Sequence, residues 1–244
     1  MTQSPRLIHL FANGPDGAGL TPLELDAADF QSPLPVQNWH LYFEDPAIGL
    51  TVGVWDTTTM QEVFGPYPGD EFVWVLEGRF LMIDGDGAAQ PAGQGDCVAF
   101  RNGAPMSWKQ EGYLKKFFIT LADPNAETPK IENANGAVVV VDPDTPLTIA
   151  SKPNEPIERD HVGFTNDAGN MTVGLWSCEA ADFEMEPFSV HEFVRVIEGS
   201  ATITEKDGSV HTVKAGDCFF IPKGTVCRWQ VPTYIKKYYA QVDV

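Results

Sequence analysis

Basic residues are scarce in this chain: 16 Lys and Arg stand against 34 Asp and Glu, a formal net charge of −18 over 244 residues. Binding to a phosphate backbone depends on clustered Lys and Arg that release counterions, so nucleic acid is excluded as a partner. Long apolar runs are lacking too. The longest purely aliphatic one, Ala137 to Val141, is far too short to cross a bilayer, so no membrane partner is expected. No basic, apolar, cleavable leader opens the sequence, and a cytoplasmic setting is the expectation. Cysteine is sparse as well. Cys97, Cys178, Cys218 and Cys227 form no C-x-x-C pair, which argues against a zinc knuckle or a dithiol redox centre. Cys97 and Cys218 read as buried, reduced thiols inside strands, and a Cys178–Cys227 bond would require an oxidising compartment. No twelve-residue amphipathic stripe with caps signals a helix. The 43% hydrophobic and 11% aromatic content that remains excludes wholesale disorder, and the length suits one large or two small domains.

The strongest positive signal is an internal repeat. Residues 51–121 and 172–242 align without a gap at an offset of 121, and 21 of the 71 pairs are identical, too many for chance in so short a stretch. Thr51-Val52-Gly53-Val54-Trp55 falls on Thr172-Val173-Gly174-Leu175-Trp176, and Glu71-Phe72-Val73 on Glu192-Phe193-Val194. Glu77-Gly78, Gly95-Asp96-Cys97, Trp108 and Lys115-Lys116 have partners at Glu198-Gly199, Gly216-Asp217-Cys218, Trp229 and Lys236-Lys237. Upstream, His40 meets His161 at the same offset. The chain therefore divides into two copies of one domain, 1–125 with an N-terminal arm and 126–244 with a linker. The prolines and polar residues of Asp123 to Pro129 mark the join.

Each copy reads as β. Phe72 to Leu76 and Phe193 to Ile197 are short β-branched and aromatic runs, and Asp84-Gly85 and Asp207-Gly208 supply the positive φ that hairpin turns need. Many short strands between Gly, Pro and Asp turns predict an all-β chain of two tandem barrels of the jelly-roll type. Two further strands are expected outside the repeat, at Leu7 to Phe11 in an arm draped over a barrel, and at Ala137 to Val141 pairing between domains.

The landmarks Asp70-Glu71-Phe72, Leu76-Glu77-Gly78, Gly95-Asp96, Gly103, Trp108 and Lys116, repeated in the second copy, resemble the cupin superfamily. Within it the chain is similar to the ureidoglycine-aminohydrolase-type and ethanolamine-utilisation-type cupins. The resemblance covers roughly residues 40–121 and 161–242 and implies a cupin barrel in each, but cupins host isomerases, dioxygenases, hydrolases, binding regulators and storage proteins. It also implies a divalent metal held by three His and one Glu, from G-x5-H-x-H-x3,4-E-x6-G and a later His. Here Glu71 and Glu192 keep the Glu position. The His positions carry Phe64/Gly65, Pro66/Tyr67 and Met106 in copy one, and Met185/Glu186, Pro187/Phe188 and Cys227 in copy two. No metal and no cofactor is therefore expected, although Glu186, Glu192 and Cys227 together leave a metal in copy two open, with His191 turned to the opposite face.

Glu71 and Glu192 are the candidate catalytic residues, because a carboxylate facing a barrel interior implies a polar cavity and could be poised as a general acid or base. The alternative is a structural Glu bonded to a neighbouring tyrosine or backbone amide. Met106 with Trp108, and Cys227 with Trp229, alternate along strands and share a face. With Tyr67 and Phe188 they are the candidate ligand-binding residues, or else plain core. His40 and His161 read as structural, while Lys115/Lys116 and Lys236/Lys237 balance acidic neighbours, with one reaching Glu across the sheet. The expectation is a metal-poor, two-barrel protein binding an unidentified small metabolite, in a sensing or accessory role, with a homodimer as a candidate assembly. The alternative is a small-molecule enzyme resembling ureidoglycine aminohydrolase, with the C-terminal barrel as its active half.

Overall fold

The structure, a computed structural model, describes residues 5–244, and its strands are antiparallel throughout. Contacts divide it into two units, Leu10–Val141 and the combination of Pro5–His9 with Asp142–Val244. In the first unit a seven-stranded sheet runs in the order Val138–Val140, Cys97–Phe100, Asp70–Glu77, Leu114–Leu121, Leu50–Thr57, Gln37–Asp45, Thr21–Pro22. A second sheet is built from Met60–Gln61, Pro105–Gln110, Arg79–Asp84 and Ala89–Gly93, with Gly65–Pro66 alongside. Val73, Val75, Phe100 and Phe118 from the first sheet and Met60, Phe80, Met82 and Trp108 from the second share one buried core, so the sheets face each other as a jelly-roll barrel.

The second unit repeats this arrangement with fewer breaks. Two long strands, His191–Glu205 and Val226–Val242, each cover what two strands do in the first unit and tie nine strands into one sheet. The bend in the first of them sits at Gly199, and its counterpart is Gly78. Both have positive φ, 74° and 83°. A Cβ there would stand 1.9 Å from the Tyr234 carbonyl oxygen or 2.2 Å from that of Tyr113. Glycine is required in both copies, which accounts for the repeated Glu-Gly pair.

The expected all-β, two-barrel fold is what forms, and the only helical turns among the described residues are two short 3₁₀ segments, Pro15–Gly17 and Ala27–Asp29. The division falls elsewhere than expected. Val138–Val140 pairs with Cys97–Phe100, so the first unit ends at Val141 rather than at 125. The arm strand Ile8–His9 pairs with Cys218–Ile221, so it belongs to the second unit rather than to residues 1–125. Each unit thus completes its edge with a strand that precedes the other copy in sequence, and backbone groups of Cys97–Phe100 and Cys218–Ile221 gain partners that the repeat itself does not supply. Leu7 and Phe11 lie outside the arm strand, and no disulfide joins the four cysteines, all of them buried. No helix among the described residues is long and apolar enough to cross a membrane.

Candidate functional site

Strand alternation decides which side chains meet inside each barrel. Lys116, Phe118 and Thr120 share a face of Leu114–Leu121, and Thr120 stands opposite Glu71. Lys116 stands four residues from Thr120 on that face, and its long stem reaches inward to Glu71 while Lys115 turns outward to Asp56 and Asn13. In the first barrel the Lys116 ammonium donates to Glu71 Oε1 at 2.8 Å, and the Tyr67 hydroxyl donates to Oε2. In the second the Lys237 ammonium donates to Glu192 Oε1 at 2.5 Å. Each ammonium also lies over two indoles, Lys116 at 5.1 and 4.8 Å from Trp55 and Trp108, Lys237 at 4.9 and 5.1 Å from Trp176 and Trp229. The repeated tryptophans, glutamate and second lysine are therefore one constellation, a buried ion pair whose cation is held between aromatic faces.

Glycine makes room for it. A Cβ on Gly53 would lie 2.8 Å from the Phe118 ring, and one on Gly174 would lie 2.7 Å from Tyr239 Oη. These rings form the wall beside the lysine, so the shared Val-Gly at both positions is a packing requirement.

The two cavities differ. That of the first barrel measures about 260 Å³ and is lined by Trp55, Glu62, Tyr67, Glu71, Trp108 and Lys116 among others. Trp108 is tied down by stacking on Phe80 and by donating to Gln110 Oε1 at 2.9 Å, and Tyr67 stacks on Phe100. Burial pushes the Glu62 carboxyl up to about 7, with the nearby Lys116 opposing the rise. That of the second barrel measures about 510 Å³. Phe183, Phe188, Trp176 and Trp229 wall it, and Glu192, Lys237, Cys227 and Tyr239 face it. Trp176 donates to Glu158 Oε2 at 2.9 Å, as Trp55 donates to Gln37 Oε1 at 3.2 Å, and Tyr239 hydrogen-bonds Asp160.

Of the sequence candidates, Glu71, Tyr67 and Trp108 line the first cavity, and Glu192, Phe188, Cys227 and Trp229 line the second. Met106 does not join them. It is 4% exposed, packs in the first barrel's core and borders a separate small depression with Met82 and Gly136. The structural reading of Glu71 as a tyrosine-bonded carboxylate holds in geometry, whereas Glu192 faces Phe188 where Glu71 has Tyr67 and relies on Lys237. His191 turns away from the cavity as expected, accepting from the Lys223 amide and stacking on Phe220. Sequence reasoning expected a lysine to reach Glu across the sheet without singling out Lys116 or Lys237 as site residues, and it missed Glu62. The lysines carried a signal, since their alternation partners lead directly to the glutamate. Glu62 carried none, having Phe183 as its counterpart.

The metal implied by the cupin resemblance does not fit this donor set. In each barrel an ammonium already occupies a carboxylate oxygen of the one glutamate that keeps its place. Burial pushes the Cys227 thiol up to about 11, leaving it protonated and a poor ligand at neutral pH. Glu186 is paired with Cys227 on neighbouring strands but is exposed at the mouth, and among the described residues no three His, Cys, Asp or Glu converge as a metal would require.

Residues 165–239 match the family model of the EutQ-like cupin domain. No curated protein matches the sequence. Among solved structures, a protein of unknown function of the DUF861 family from Pseudomonas syringae pv. tomato is 22% identical, with 98% of this chain and 100% of that one covered and a TM-score of 0.77. Protein Ylba from E. coli, also DUF861, is 11% identical, with 99% of this chain and 93% of that one covered and a TM-score of 0.54. A cupin 2 conserved barrel domain protein from Leptotrichia buccalis is 12% identical, covered over 87% and 91%, with a TM-score of 0.55. Residues 165–239 thus match a EutQ-like cupin domain, and the chain as a whole shares the fold of these cupin and DUF861 structures.

Proposed function

We propose that the chain binds a small metabolite in the cavity of its C-terminal barrel, in a sensing or accessory role that uses no bound metal. The observation that carries this reading is the buried Glu192–Lys237 pair set into a cavity of about 510 Å³ with aromatic walls. That volume falls within the range of ordinary ligand sites, roughly 300–1,000 Å³, and the first cavity, at about 260 Å³, falls below it. The pair supplies polar groups already fixed in place, so a ligand would meet little ordering cost on entry.

Thermal unfolding against a panel of small metabolites tests the reading. A true ligand at a hundredfold its Kd contributes about 2.7 kcal/mol, a rise of roughly 5–10 °C for a chain of this size. No stabilisation by any compound counts against it. A second reading, hydrolase or isomerase chemistry like that of the ureidoglycine-aminohydrolase branch, is favoured by one feature: Glu192 and Lys237 together can hold and pass a proton at a cavity wall. It predicts that a stabilising compound is converted to product, and that Glu192→Gln abolishes conversion. The binding reading predicts the compound is recovered unchanged.

A further inference from the structure

The duplication supplies an internal control for the second cavity. In the first barrel protein meets both oxygens of the buried glutamate: Lys116 donates to Glu71 Oε1 and the Tyr67 hydroxyl donates to Oε2. In the second, Lys237 donates to Glu192 Oε1, and the residue at the place of Tyr67 is Phe188, which has no hydroxyl to give. The two rings start from the same backbone. The Tyr67 amide donates to the Ala104 carbonyl at 2.9 Å, and its carbonyl accepts from the Gly103 amide at 2.8 Å. For Phe188 the partners are Thr225 and Gly224, at 2.8 and 2.7 Å, the same positions at the offset of 121. One hydroxyl is therefore absent from an otherwise matching frame.

A second difference falls on the same wall. Glu62 of the first cavity gives way to Phe183 in the second, again on a matching backbone bond, to the carbonyl of Trp108 or of Trp229 at 2.9 Å. Where one wall has a carboxyl and a phenol, the other has two phenyl rings, and the space beside them is about 510 Å³ rather than about 260 Å³. Glu192 lines that space while being only 1% exposed, and among the described residues its side-chain hydrogen bond comes from Lys237 alone. Tyr239, whose hydroxyl also faces the cavity, is engaged with Asp160. A carboxylate accepts at both oxygens, and a buried acceptor short of a donor costs free energy that a donor on a ligand relieves.

From this comparison we infer that the second cavity takes a small, uncharged ring carrying a hydroxyl, of the phenol class, whose O–H donates to Glu192 Oε2 as Tyr67 does to Glu71 in the first barrel. This rests on the small-molecule reading above and adds the ligand's class and one polar contact. The ring lies against Phe183 and Phe188, since the indole faces of Trp176 and Trp229 are taken by the Lys237 ammonium. Glu158, Asp160, Glu184 and Glu186 also line the space and repel an anionic ring, which keeps the hydroxyl protonated. The first barrel fills the same place with its own tyrosine, in keeping with its smaller cavity.

Ligand-observed fluorine NMR with three near-isosteric probes tests the inference: 4-fluorophenol as the donor, 4-fluoroanisole with the hydroxyl capped by methyl, and 4-fluorotoluene with no oxygen. The phenol is expected to bind about tenfold more tightly than either of the others, the effect of one hydrogen bond to a charged acceptor. Phe188→Tyr is expected to restore the internal donor. It should weaken 4-fluorophenol by about tenfold while leaving 4-fluorotoluene nearly unchanged, which separates loss of the hydrogen bond from loss of space. Equal or tighter binding of 4-fluoroanisole or 4-fluorotoluene overturns the inference and leaves the small-molecule reading standing, as does an unchanged phenol preference in Phe188→Tyr. Failure of all three probes to bind also overturns it, and the broader metabolite panel then decides the small-molecule reading separately.

Discussion

Replacing Lys237 by Met removes the ammonium that answers Glu192 and keeps a side chain of similar reach between Trp176 and Trp229. The two side chains are only 7% and 1% exposed, so Glu192 would be left charged where water cannot compensate it. Stranding one partner of such a pair costs about 3–5 kcal/mol. An exposed pair would lose only ~0–1 kcal/mol. The first barrel provides the comparison: Lys116→Met leaves Glu71 its hydrogen bond from Tyr67, and a hydrogen bond to a charged group contributes about 1.5–3 kcal/mol. Lys237→Met should therefore be the more damaging of the two. Adding Glu192→Leu to Lys237→Met should recover most of the loss, since a well-packed apolar pair replaces a buried ionic one at little cost. Urea unfolding followed by circular dichroism and tryptophan fluorescence measures these three variants and Glu192→Leu alone, and the double-mutant cycle isolates the coupling. A cost below about 1 kcal/mol for Lys237→Met, or a larger one for Lys116→Met, refutes the assignment of a buried, mutually dependent pair.

Three further outcomes follow from the geometry. Glu62 is pushed by burial from its ordinary 4.5 to about 7, so its support for the folded state is full below pH 4.5 and is lost as pH rises through 7. Glu62→Gln should match the parent near pH 4 and exceed it above pH 8 by at most roughly 3 kcal/mol, whereas a constant gap across that window in urea midpoints contradicts the shift. Cys227, with a thiol near 11, should resist iodoacetamide at pH 7.5 in the native chain and react once unfolded, as mass spectrometry of the peptide would record. Gly174→Ala should lower stability by about 1–3 kcal/mol, because a Cβ there would stand 2.2 Å from the His161 carbonyl oxygen and 2.7 Å from Tyr239 Oη, and a thermal midpoint equal to the parent's would argue against that crowding.

Much of the fold was legible because the chain states it twice. Repeated Glu-Gly and Val-Gly pairs at one offset mark places where backbone or ring leaves no room for a Cβ, and such steric demands survive in a single sequence. Glu71 and Glu192 were legible for a related reason, since a carboxylate set among β-branched and aromatic residues needs a partner. That partner was harder to see. Two adjacent lysines look alike in sequence, and only the register of Leu114–Leu121 against Asp70–Glu77 separates the inward Lys116 from the outward Lys115. Met106 took the core alternative, and the sequence left this open because sharing a face with Trp108 on a strand does not say which stretch of that face opens to a cavity. The edge strands show the same limit: Ile8–His9 and Val138–Val140 are apolar enough to read as strands, but pairing partners lie far off in sequence, and local pattern carries no information about them.

In the C-terminal cavity the fixed cation is Lys237, and the proposed binding needs no metal beside it. Calorimetric titration with a stabilising compound, before and after exhaustive dialysis against a chelator, puts that to the test. One ligand per chain, bound with unchanged affinity after chelation, is the predicted result. Binding that disappears with the chelator and returns with a divalent metal would contradict it.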